Sequence, residues 1–579
     1  MKFSKLADYF EKLESTTKRL EMFEILSNMF KEAEIDEIDK LVYFSQERLL
    51  PPFKGVEIGM AEKLVERAIA KVCNVGIGKV ESLYKKMGDL GLVAESMFKG
   101  RSGSKLDVTV VYNELMKIAK TSGPGSIELK INYLAGILSK CSPKEAKYIV
   151  RFVSGRLRLG IGDPTILDSL SKAKVGDRSL REELERAYNL CSDLGLVAQT
   201  LFKEGIKGIK EFKVTVGNPI RMALAERLPS AEEIIKKVGG KCSVEAKYDG
   251  FRAQLHKKGD EIEIFSRNLE RTTHMFPEIV KAAKEQIRAK DAILEGEALA
   301  YNEETGELFP FQVTIQRKRK HGIKELAEEY PLRMFVFDLL YVDGVDYTKK
   351  SYEERRKALE RIVKDGDVIK IAERIVSDDP KEIMRYFDEL VARGLEGIMC
   401  KKLDSPYQAG ARNFNWIKLK RSYKGELADT IDVVLVGYFK GRGARAKFGI
   451  GALLGAVYDD KLDVFKTVAK IGSGLSEERW VEIRKLLDET KVPNKPARVD
   501  SLIEPDVWVE PNYVITVKAD EITRSPVHTC GRKGDEPGFA LRFPRMTGWI
   551  REDKKPEDAT TEKEIMEMFK MQKHVNLQT

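Results

Sequence analysis

The sequence contains few of the residues from which disulfide frameworks and metal clusters are usually built. Its six cysteines are scattered without a C-x-x-C pair, and its five histidines are equally dispersed along 579 residues. This distribution excludes a disulfide scaffold and a zinc knuckle, and it argues against a metal site built from histidine.

Long apolar segments and a strong excess of one charge are also lacking. The longest apolar run, Ile450–Tyr458, falls short of the roughly 18 residues that a membrane helix requires. The amino-terminal residues alternate charged and apolar side chains, unlike a secretory signal. Lysine and arginine number 101 against 92 acidic residues, so the net charge of +9 permits a polyanionic partner without requiring one. We therefore expect a soluble cytoplasmic protein without a membrane partner.

Helical periodicity dominates the first 200 or so residues, and one short pattern occurs there twice. Gly76–Gly78 (GIG) is followed by Asp89–Ala94 (DLGLVA), and Gly160–Gly162 (GIG) is followed by Asp193–Ala198 (DLGLVA). We interpret the two copies as a duplicated helical unit that forms a pseudo-twofold domain. A G-x-G turn that opens a helix either contacts a phosphate through its backbone N–H groups or simply packs.

Two changes in the sequence pattern divide the chain into regions. Glycine and proline interrupt the pattern from Gly205 to Ser230, after which β-rich segments alternate with two helical stretches. A second change follows Lys420, and from Ile431 short strands recur with glycine-rich turns, which is typical of a small barrel. The predicted domains are residues 1–210, 211–422 and 423–579.

The segment Glu245–Arg252 (EAKYDGFR) carries the clearest chemical signal. Residues two apart on a strand share a face, so Glu245 and Lys247 project together before Asp249-Gly250 turns the chain. A lysine is nucleophilic only when deprotonated, and we expect burial and neighbouring cations, such as Arg252 or a bound metal, to lower the Lys247 pKa from about 10.4. On this segment alone, a surface lysine beside a hairpin turn remains the alternative.

Five further segments follow in a fixed order. They are Ser266–Asn268 (SRN), Leu294–Ala298 (LEGEA), Phe335–Asp338 (FVFD), Glu396–Lys401 (EGIMCK) and Trp416–Lys420 (WIKLK). With the K-Y-D-G segment they resemble the ordered motifs of the covalent nucleotidyltransferases. Two more segments, Phe311–Lys320 and Leu541–Thr561, are similar to those of the archaeal and eukaryotic ATP-dependent DNA ligases. The resemblance covers almost the whole chain.

The resemblance implies a multidomain α+β fold. An all-helical N-terminal DNA-binding domain would precede a mixed α/β nucleotidyltransferase (adenylation) domain of antiparallel sheets and a C-terminal OB-fold β-barrel. The implied activity seals nicks in duplex DNA through a lysyl-AMP intermediate and an adenylated 5′-phosphate, in replication, repair and recombination. It implies ATP and magnesium, or manganese, as cofactors, nicked DNA as partner, and a nucleoid-associated monomer.

The resemblance also assigns roles by position. Lys247 would accept AMP, Glu245 would bind the adenine amino group and Phe337 would stack on adenine. The side chains that would hold ribose and phosphates are Arg252, Arg267, Arg412, Lys418 and Lys420. Glu297 and Glu396 would hold the divalent ion, with Glu297 also near the nucleotide. The C-terminal residues that would orient the leaving pyrophosphate are Arg542, Arg545, Arg551, Asp553 and Lys554.

Several of these positions allow a plainer interpretation. Phe337 is otherwise a core aromatic, Arg412 a solvated loop arginine and Glu295 an exposed strand glutamate. The basic run Arg317–Lys320 is either a solvated loop or a DNA contact. Archaeal relatives often carry a glutamine-led aromatic peptide for the replication sliding clamp, and Gly100–Val110 offers neither feature, so binding of the clamp stays open.

Three other functions remain open from the sequence alone. An RNA ligase or a capping-type guanylyltransferase shares the K-x-D-G core, and a non-catalytic nucleic-acid clamp could retain the fold. The residues do not separate ATP from ADP or GTP, and two glutamates do not separate magnesium from manganese.

Overall fold

The computed structural model describes most of the chain and divides it into two compact units. The described residues are 1–103, 105–157, 159–301, 308–309, 314, 317, 327, 330–364, 366–393, 395–420, 430–441, 448–519 and 521–575. One unit contains residues 1–188 and 192–212, and the other contains residues 189–191 and 213–579. A helical N-terminal region, a central sheet region and a strand-rich C-terminal region confirm the predicted mixed α+β, multidomain class.

Residues 1–212 form twelve α-helices within the part that the structure describes. The helices are α1 Phe3–Glu14, α2 Arg19–Lys31, α3 Ile38–Ser45, α4 Glu62–Cys73, α5 Ile77–Met87, α6 Leu90–Met97, α7 Val108–Lys120, α8 Ser126–Leu138, α9 Pro143–Val153, α10 Asp163–Val175, α11 Arg181–Cys191 and α12 Leu194–Lys210. A short 3-10 turn, Pro52–Lys54, lies between α3 and α4.

The twelve helices form two sets of six, α1–α6 and α7–α12. Several helices of each set pack on helices of the other set. Helix α2 packs on α10, and its counterpart α8 packs on α4. In the same way α6 packs on α9 while α12 packs on α3. This reciprocal packing is the arrangement that a duplicated helical unit would give.

The structure pairs the two copies differently from the short sequence pattern. Asp89 and Asp193 are equivalent, since each caps the sixth helix of its set by accepting backbone N–H bonds. The GIG turns are not equivalent, because Gly76 precedes α5 whereas Gly162 precedes α10, the counterpart of α4. Three matching residues did not determine which helix followed, so this part of the predicted repeat is wrong.

The central region contains two sheets and four helices in its described residues. Its strands are β1 Leu224–Arg227, β2 Cys242–Lys247, β3 Phe251–Lys258, β4 Glu261–Ser266, β5 Asp291–Ala300, β6 Leu332–Val342, β7 Val345–Asp346, β8 Ile369–Ile371, β9 Arg374–Ser377, β10 Gly397–Lys402 and β11 Arg412–Lys420. Its helices are α13 Ala231–Val238, α14 Pro277–Gln286, α15 Tyr352–Ile362 and α16 Pro380–Ala392.

The two central sheets are largely antiparallel. One has the order β1-β11-β10-β2-β9, with β1 parallel to β11. The other has the order β4-β3-β5-β6-β7, with β8 added in parallel to β6. Helices α13 and α16 cover an apolar face of the first sheet, and α14 and α15 cover one of the second. The opposite face of the first sheet carries polar side chains.

The C-terminal region is rich in strands. They are β12 Thr430–Phe439, β13 Ala452–Asp459, β14 Val464–Ile471, β15 Lys491–Val492, β16 Val499–Asp500, β17 Val507–Val509, β18 Val514–Lys518, β19 Glu521–Ser525, β20 Gly538–Arg542 and β21 Arg545–Ile550. Helices α17 Glu477–Asp488 and α18 Glu562–Val575 accompany them. An eight-stranded sheet built on β12, β13 and β14 contributes to two apolar clusters, one of which also includes residues of α17 and α18. Among the described residues, no helix is both long and apolar enough to cross a membrane.

Candidate nucleotide site

Three neighbouring strands place nine residues in rows on one face of the first central sheet. Strand register aligns them across β2, β10 and β11. The rows are Lys247–Gly397–Lys420, Glu245–Met399–Lys418 and Ser243–Lys401–Trp416. Because alternate residues share a face, all nine positions face the same way. The predicted pairing of Glu245 with Lys247 on one face is therefore part of a larger array.

Gly397 allows the first row to form. Its φ is +148°, a conformation that L side chains rarely adopt, and a Cβ there would collide with the carbonyl oxygen of Leu419. Only glycine therefore lets β10 pass between Lys247 and Lys420 at this point.

A cavity of about 890 Å³ opens over the array. Its other walls include Arg252, Glu297 and Phe337 from the second sheet, and residues from the C-terminal region. The sequence-predicted residues that line it are Glu245, Lys247, Arg252, Arg267, Glu297, Phe337, Glu396, Arg412, Lys418, Lys420, Arg551, Asp553 and Lys554. Arg542 and Arg545 are not among the lining residues, so their contribution stays a prediction.

The Lys247 amine is held by a carboxylate. Its Nζ contacts one oxygen of Glu396, and Lys420 Nζ contacts the other. Burial lowers the pKa of Lys247, but the negative charges of Glu396, Glu297 and Asp249 outweigh burial and raise it above its usual value. The sequence-based expectation of a lowered pKa is therefore wrong for this state of the protein.

The acidic side chains near Lys247 respond differently to their surroundings. Burial raises the pKa of Glu297 to about 7, against the opposing charges of Lys247 and Arg252. Glu396 is also desolvated, yet Lys247 and Lys420 hold its pKa well below the usual range. The Glu297 Oε1 accepts the Gly250 N–H at 3.2 Å. Of these two carboxylates, Glu396 is thus neutralised by lysines, whereas the ionisation of Glu297 is costly.

The far end of the array is aromatic. The rings of Phe337 and Trp416 meet edge to face at 5.9 Å, and Lys401 Nζ lies 4.6 Å and 4.2 Å from their centroids. The buried Glu245 carboxylate accepts from the Tyr352 hydroxyl and pairs with Lys401 Nζ at 2.8 Å. Sequence reasoning missed Lys401 and Tyr352, although Lys401 ends the EGIMCK segment and follows Met399 by two residues.

Glu295 is fully buried, which corrects its interpretation as an exposed strand glutamate. It accepts from Arg252 at 3.0 Å, from Gln254 at 3.1 Å and from the Tyr407 hydroxyl at 2.8 Å. Arg252 also donates to the Ala223 carbonyl oxygen at 2.6 Å. Glu295 therefore fixes Arg252 in the cavity wall. Its partner Tyr407 lies too far along the chain for a sequence pattern to reveal.

Acidic residues of the C-terminal region meet the cationic side chains of the cavity. Glu564 of α18 pairs with Arg412 at 2.7 Å and lies 3.5 Å from Lys418. Arg267 pairs with Asp558 at 3.2 Å. Arg412 is thus not a solvated loop residue, and the carboxylates at 558 and 564 were missed because no local pattern connects them to residues 267–418.

Arg551 and Lys554 are tied to acidic partners within the C-terminal region. Arg551 forms two 2.7 Å hydrogen bonds with Asp553, and Lys554 contacts Asp432. Burial lowers the pKa of Lys554 despite this partner. Both cations therefore enter the cavity with restricted orientations.

The segment Phe311–Lys320 lies mostly outside the described residues. Its Arg317 is described and buried, donating to the Met275 and Tyr330 carbonyl oxygens at 2.9 Å and pairing with Glu278 at 2.9 Å. Neither proposed role of the basic run, a solvated loop or a DNA contact, applies to Arg317.

Comparison with known sequences covers nearly the whole chain. Family models match residues 2–171 (DNA ligase N terminus), 222–420 (ATP dependent DNA ligase domain) and 446–554 (ATP dependent DNA ligase C terminal region). A probable DNA ligase of Dictyoglomus turgidum is 56% identical, with 99% of this chain and 98% of that protein aligned. A DNA ligase of Sulfurisphaera tokodaii is 47% identical over the same shares of the two chains.

Solved structures are more distant. A mycobacterial DNA ligase D complexed with ATP and MES is 22% identical, covers 59% of this chain and 98% of its own, and gives a TM-score of 0.33. The sequence relatives carry the assignment that the motifs predicted: this chain belongs to the family of ATP-dependent DNA ligases.

Proposed function

We propose that this protein seals nicks in duplex DNA with ATP, and that Lys247 carries AMP as a covalent intermediate. The observation that carries the proposal is the position of the Lys247 amine. It lies in a cavity wall beside Lys420 and Glu396, with Arg252 and Lys418 lining the same space. An amine among several cations is suited to attack a phosphate and to stabilise the charge that develops there.

The proposed reaction has three steps. The neutral Lys247 amine attacks the α-phosphorus of ATP, forming a P–N bond while pyrophosphate leaves and the nitrogen releases a further proton. An oxygen of the 5′-phosphate at the nick then takes the AMP, which breaks the P–N bond and frees the lysine. Finally the 3′-hydroxyl attacks the adenylated 5′-phosphate, so a phosphodiester forms and AMP leaves.

The first step requires a rearrangement of the charges around Lys247. Because Glu396 stabilises the ammonium form, the amine must leave this partner and lose a proton before it can attack. We infer that Lys418 and Lys420 neutralise the α-phosphate, that Arg252 and Arg267 hold ribose and phosphate, and that Phe337 stacks on the base. Most of the rate would come from positioning and electrostatics.

Glu297 and Glu396 fit a divalent cation. Magnesium prefers few carboxylates together with water and phosphate oxygens, and burial leaves the Glu297 carboxyl with a pKa near 7 that a nearby cation would lower. No group of three or more histidine, cysteine or acidic residues suited to a metal occurs among the described residues, so the two glutamates would act with water and phosphate. Bound magnesium, or manganese, would supply positive charge beside the phosphates.

We further infer that the strand-rich region is an OB-fold barrel and that Arg551 and Lys554 orient pyrophosphate in the first step. The barrel would then leave the cavity before DNA is engaged. The boundaries 1–210, 211–422 and 423–579 stay our proposal, as do a monomeric, nucleoid-associated enzyme and the pyrophosphate role of Arg542. Any sliding clamp would bind a segment other than Gly100–Val110.

The test uses a 5′-phosphorylated nicked duplex and the variant Lys247→Ala. Wild type should form an acid-labile AMP adduct and seal the nick, whereas the variant should lose both by at least about 1000-fold. The variant should still seal a nick that already carries 5′-AMP, since that step does not use the amine. Lys258→Ala, an exposed lysine at the end of β3, is the matched control and should behave as wild type. Adduct formation by Lys247→Ala would refute the proposal.

A further inference from the structure

Asp432 is a carboxylate of the strand-rich region to which the proposed reaction gives no role. It lies on β12 between Ile431 and Val433, which are fully buried in an apolar cluster. Alternate residues of a strand face opposite ways, so Asp432 projects away from that cluster, and it lines the cavity with 13% of its side chain exposed. A carboxylate in such a place is costly unless cations and hydrogen-bond donors compensate for the lost water.

The compensating groups include both cations that enter the cavity from the C-terminal region. The Lys554 Nζ contacts Asp432 Oδ2. The other oxygen, Oδ1, accepts from the Thr516 hydroxyl at 2.7 Å and lies 3.7 Å from Arg551 Nη1. Burial raises the pKa of Asp432, but the charges of Lys554 and Arg551 outweigh burial and hold it below its ordinary value. An ionised carboxylate therefore lies between the two cations.

The backbone of the same segment is anchored at two points. The Arg551 N–H donates to the Val514 carbonyl oxygen at 2.8 Å, next to strand β21. The Thr560 N–H donates to the Asp432 carbonyl oxygen at 2.9 Å, and the Asp432 N–H donates to Thr560 Oγ1 at 3.0 Å. Residues 551–560 are thus held at both ends, and the Asp432 side chain contacts the cations between these anchors.

Lys554 keeps hydrogen-bond donors for a ligand. An ammonium group has three N–H donors, and among the described residues Asp432 is the one acceptor that Lys554 Nζ contacts. Burial lowers the pKa of Lys554, and the charge of Asp432 opposes that change. The carboxylate therefore favours a charged Lys554 whose remaining two donors can bind a phosphate in the cavity.

We propose that Asp432 is a positioning residue that holds Lys554 and Arg551 in the orientation in which they bind the leaving pyrophosphate. This inference rests on the proposed function and names the group through which the two cations act. Cations that are oriented beforehand need no reorganisation when charge develops on the leaving group. Asp432 would not touch the pyrophosphate, since two anions repel each other. Its effect should be confined to the first step, in which pyrophosphate leaves.

The test measures two reactions separately. One is single-turnover transfer of AMP from ATP to the protein, and the other is sealing of a nick that already carries 5′-AMP. Asp432→Asn keeps the shape of the side chain and removes its charge. AMP transfer should become about 10- to 100-fold slower, the loss expected when a group that binds the reacting phosphates is misplaced by about 1 Å. Sealing of the adenylated nick should be unchanged.

A matched control lies in the same region. Asp459 is also buried on a strand, β13, and pairs with Lys466 at 2.7 Å, but it is not among the residues that line the cavity. Asp459→Asn removes the charge of a comparable buried pair. At a temperature where both variants are folded, it should leave both reactions as in wild type.

A second background shows whether Asp432 acts through its partner. Residues that act as a unit are not additive, so the slowing of AMP transfer by Asp432→Asn should be at least about fivefold smaller in a Lys554→Met background. Without the lysine there is less for the carboxylate to orient.

Three results would overturn the proposal. Asp432→Asn could transfer AMP as fast as wild type, slow both reactions equally, or cost the same with and without Lys554. The last two would mean that Asp432 only supports the strand-rich region. All three differ from failure of the proposed function, in which wild type itself would take no AMP from ATP.

Discussion

At the scale of single residues, the cavity depends on charges that are buried and paired. Glu295 and Arg252 form such a pair, with Gln254 and Tyr407 completing the contacts of the carboxylate. Breaking a buried pair by removing one partner leaves an uncompensated charge. The orientation of Arg252 therefore depends on a residue that would not itself touch the nucleotide.

Glu295→Gln tests this dependence. The amide keeps the shape of the side chain but leaves the Arg252 guanidinium without a counter-charge, so we expect a loss of about 3 to 5 kcal/mol in the free energy of unfolding. Urea denaturation measures it. Glu261→Gln, on an exposed residue that begins β4, should change stability by no more than about 0.5 kcal/mol. Equal stability of the two variants would contradict this account of Arg252.

His256 gives a pH dependence whose sign follows from its burial. Its Nδ1 accepts the Gly217 N–H at 2.9 Å, and its Nε2 lies 2.8 Å from Gln254 Oε1. Burial lowers the pKa of His256 from 6.5 to about 3, so the folded protein stays neutral there while the unfolded chain takes a proton. Stability is therefore complete above pH 6.5 and falls by up to about 1.4 kcal/mol per pH unit down to about pH 3.

His256→Asn removes this titration. Between pH 6.5 and 5, the slope of the unfolding free energy against pH should be smaller for the variant. The difference in slope should correspond to about one bound proton. Denaturant titrations at several pH values measure both slopes. Parallel plots for wild type and variant would show that His256 is already protonated in the folded protein.

Part of the site follows from strand alternation alone. Glu245 and Lys247 share a face because they are two residues apart, and the ordered segments place Glu396 and Lys418 with them. Lys401 and Glu564 were missed, and Glu295 was wrongly interpreted as exposed, for a common physical reason. Their partners lie on other strands or in distant segments, and local spacing contains no information about which strands become neighbours.

At the scale of elements, the helical region depends on close packing between helices of its two sets. Gly195 lies in the first turn of α12, where a Cβ would come within 2.5 Å of the Tyr43 ring carbon Cε1 on α3. Asp193, which caps the same helix, accepts from the Tyr43 hydroxyl at 2.8 Å. The cap and the close contact together fix α12 against α3.

Gly195→Ala should be destabilising. The added methyl group has to displace the Tyr43 ring, so we expect a loss of about 1 to 3 kcal/mol in urea denaturation. Gly136→Ala provides the opposite case, because Gly136 lies in helix α8 with nothing within 4 Å of its Cβ position. It should gain up to about 1 kcal/mol from helix propensity. A neutral Gly195→Ala would show that the two helices are not tightly packed.

The elements themselves were more predictable than their pairing. Apolar periodicity indicated the helical region, and Asp89 and Asp193 at the start of DLGLVA each became a helix cap. The two GIG turns were paired wrongly because a glycine turn opens many helices. The packing of α6 and α12 on helices of the other set is a property of the tertiary structure. The sequence pattern within each helix does not encode it.

At the scale of the whole molecule, the net charge of +9 is suited to a polyanion. A ligase must act at nicks of any sequence, so contacts with the DNA backbone should dominate binding. We expect the logarithm of affinity for nicked duplex to fall linearly with the logarithm of salt concentration, with a slope of several units. Fluorescence anisotropy from about 50 to 200 mM salt measures this slope. An affinity unchanged by salt would contradict binding through phosphates.

The central claim is that the Lys247 amine carries the nucleotide. The most direct measurement is mass spectrometry of tryptic peptides after incubation with ATP and magnesium, without acid treatment. Because trypsin does not cleave at a modified lysine, AMP should appear on the peptide spanning residues 242–252, and brief acid treatment should release it. AMP on a peptide containing Lys418 or Lys420, or on none, would contradict the account.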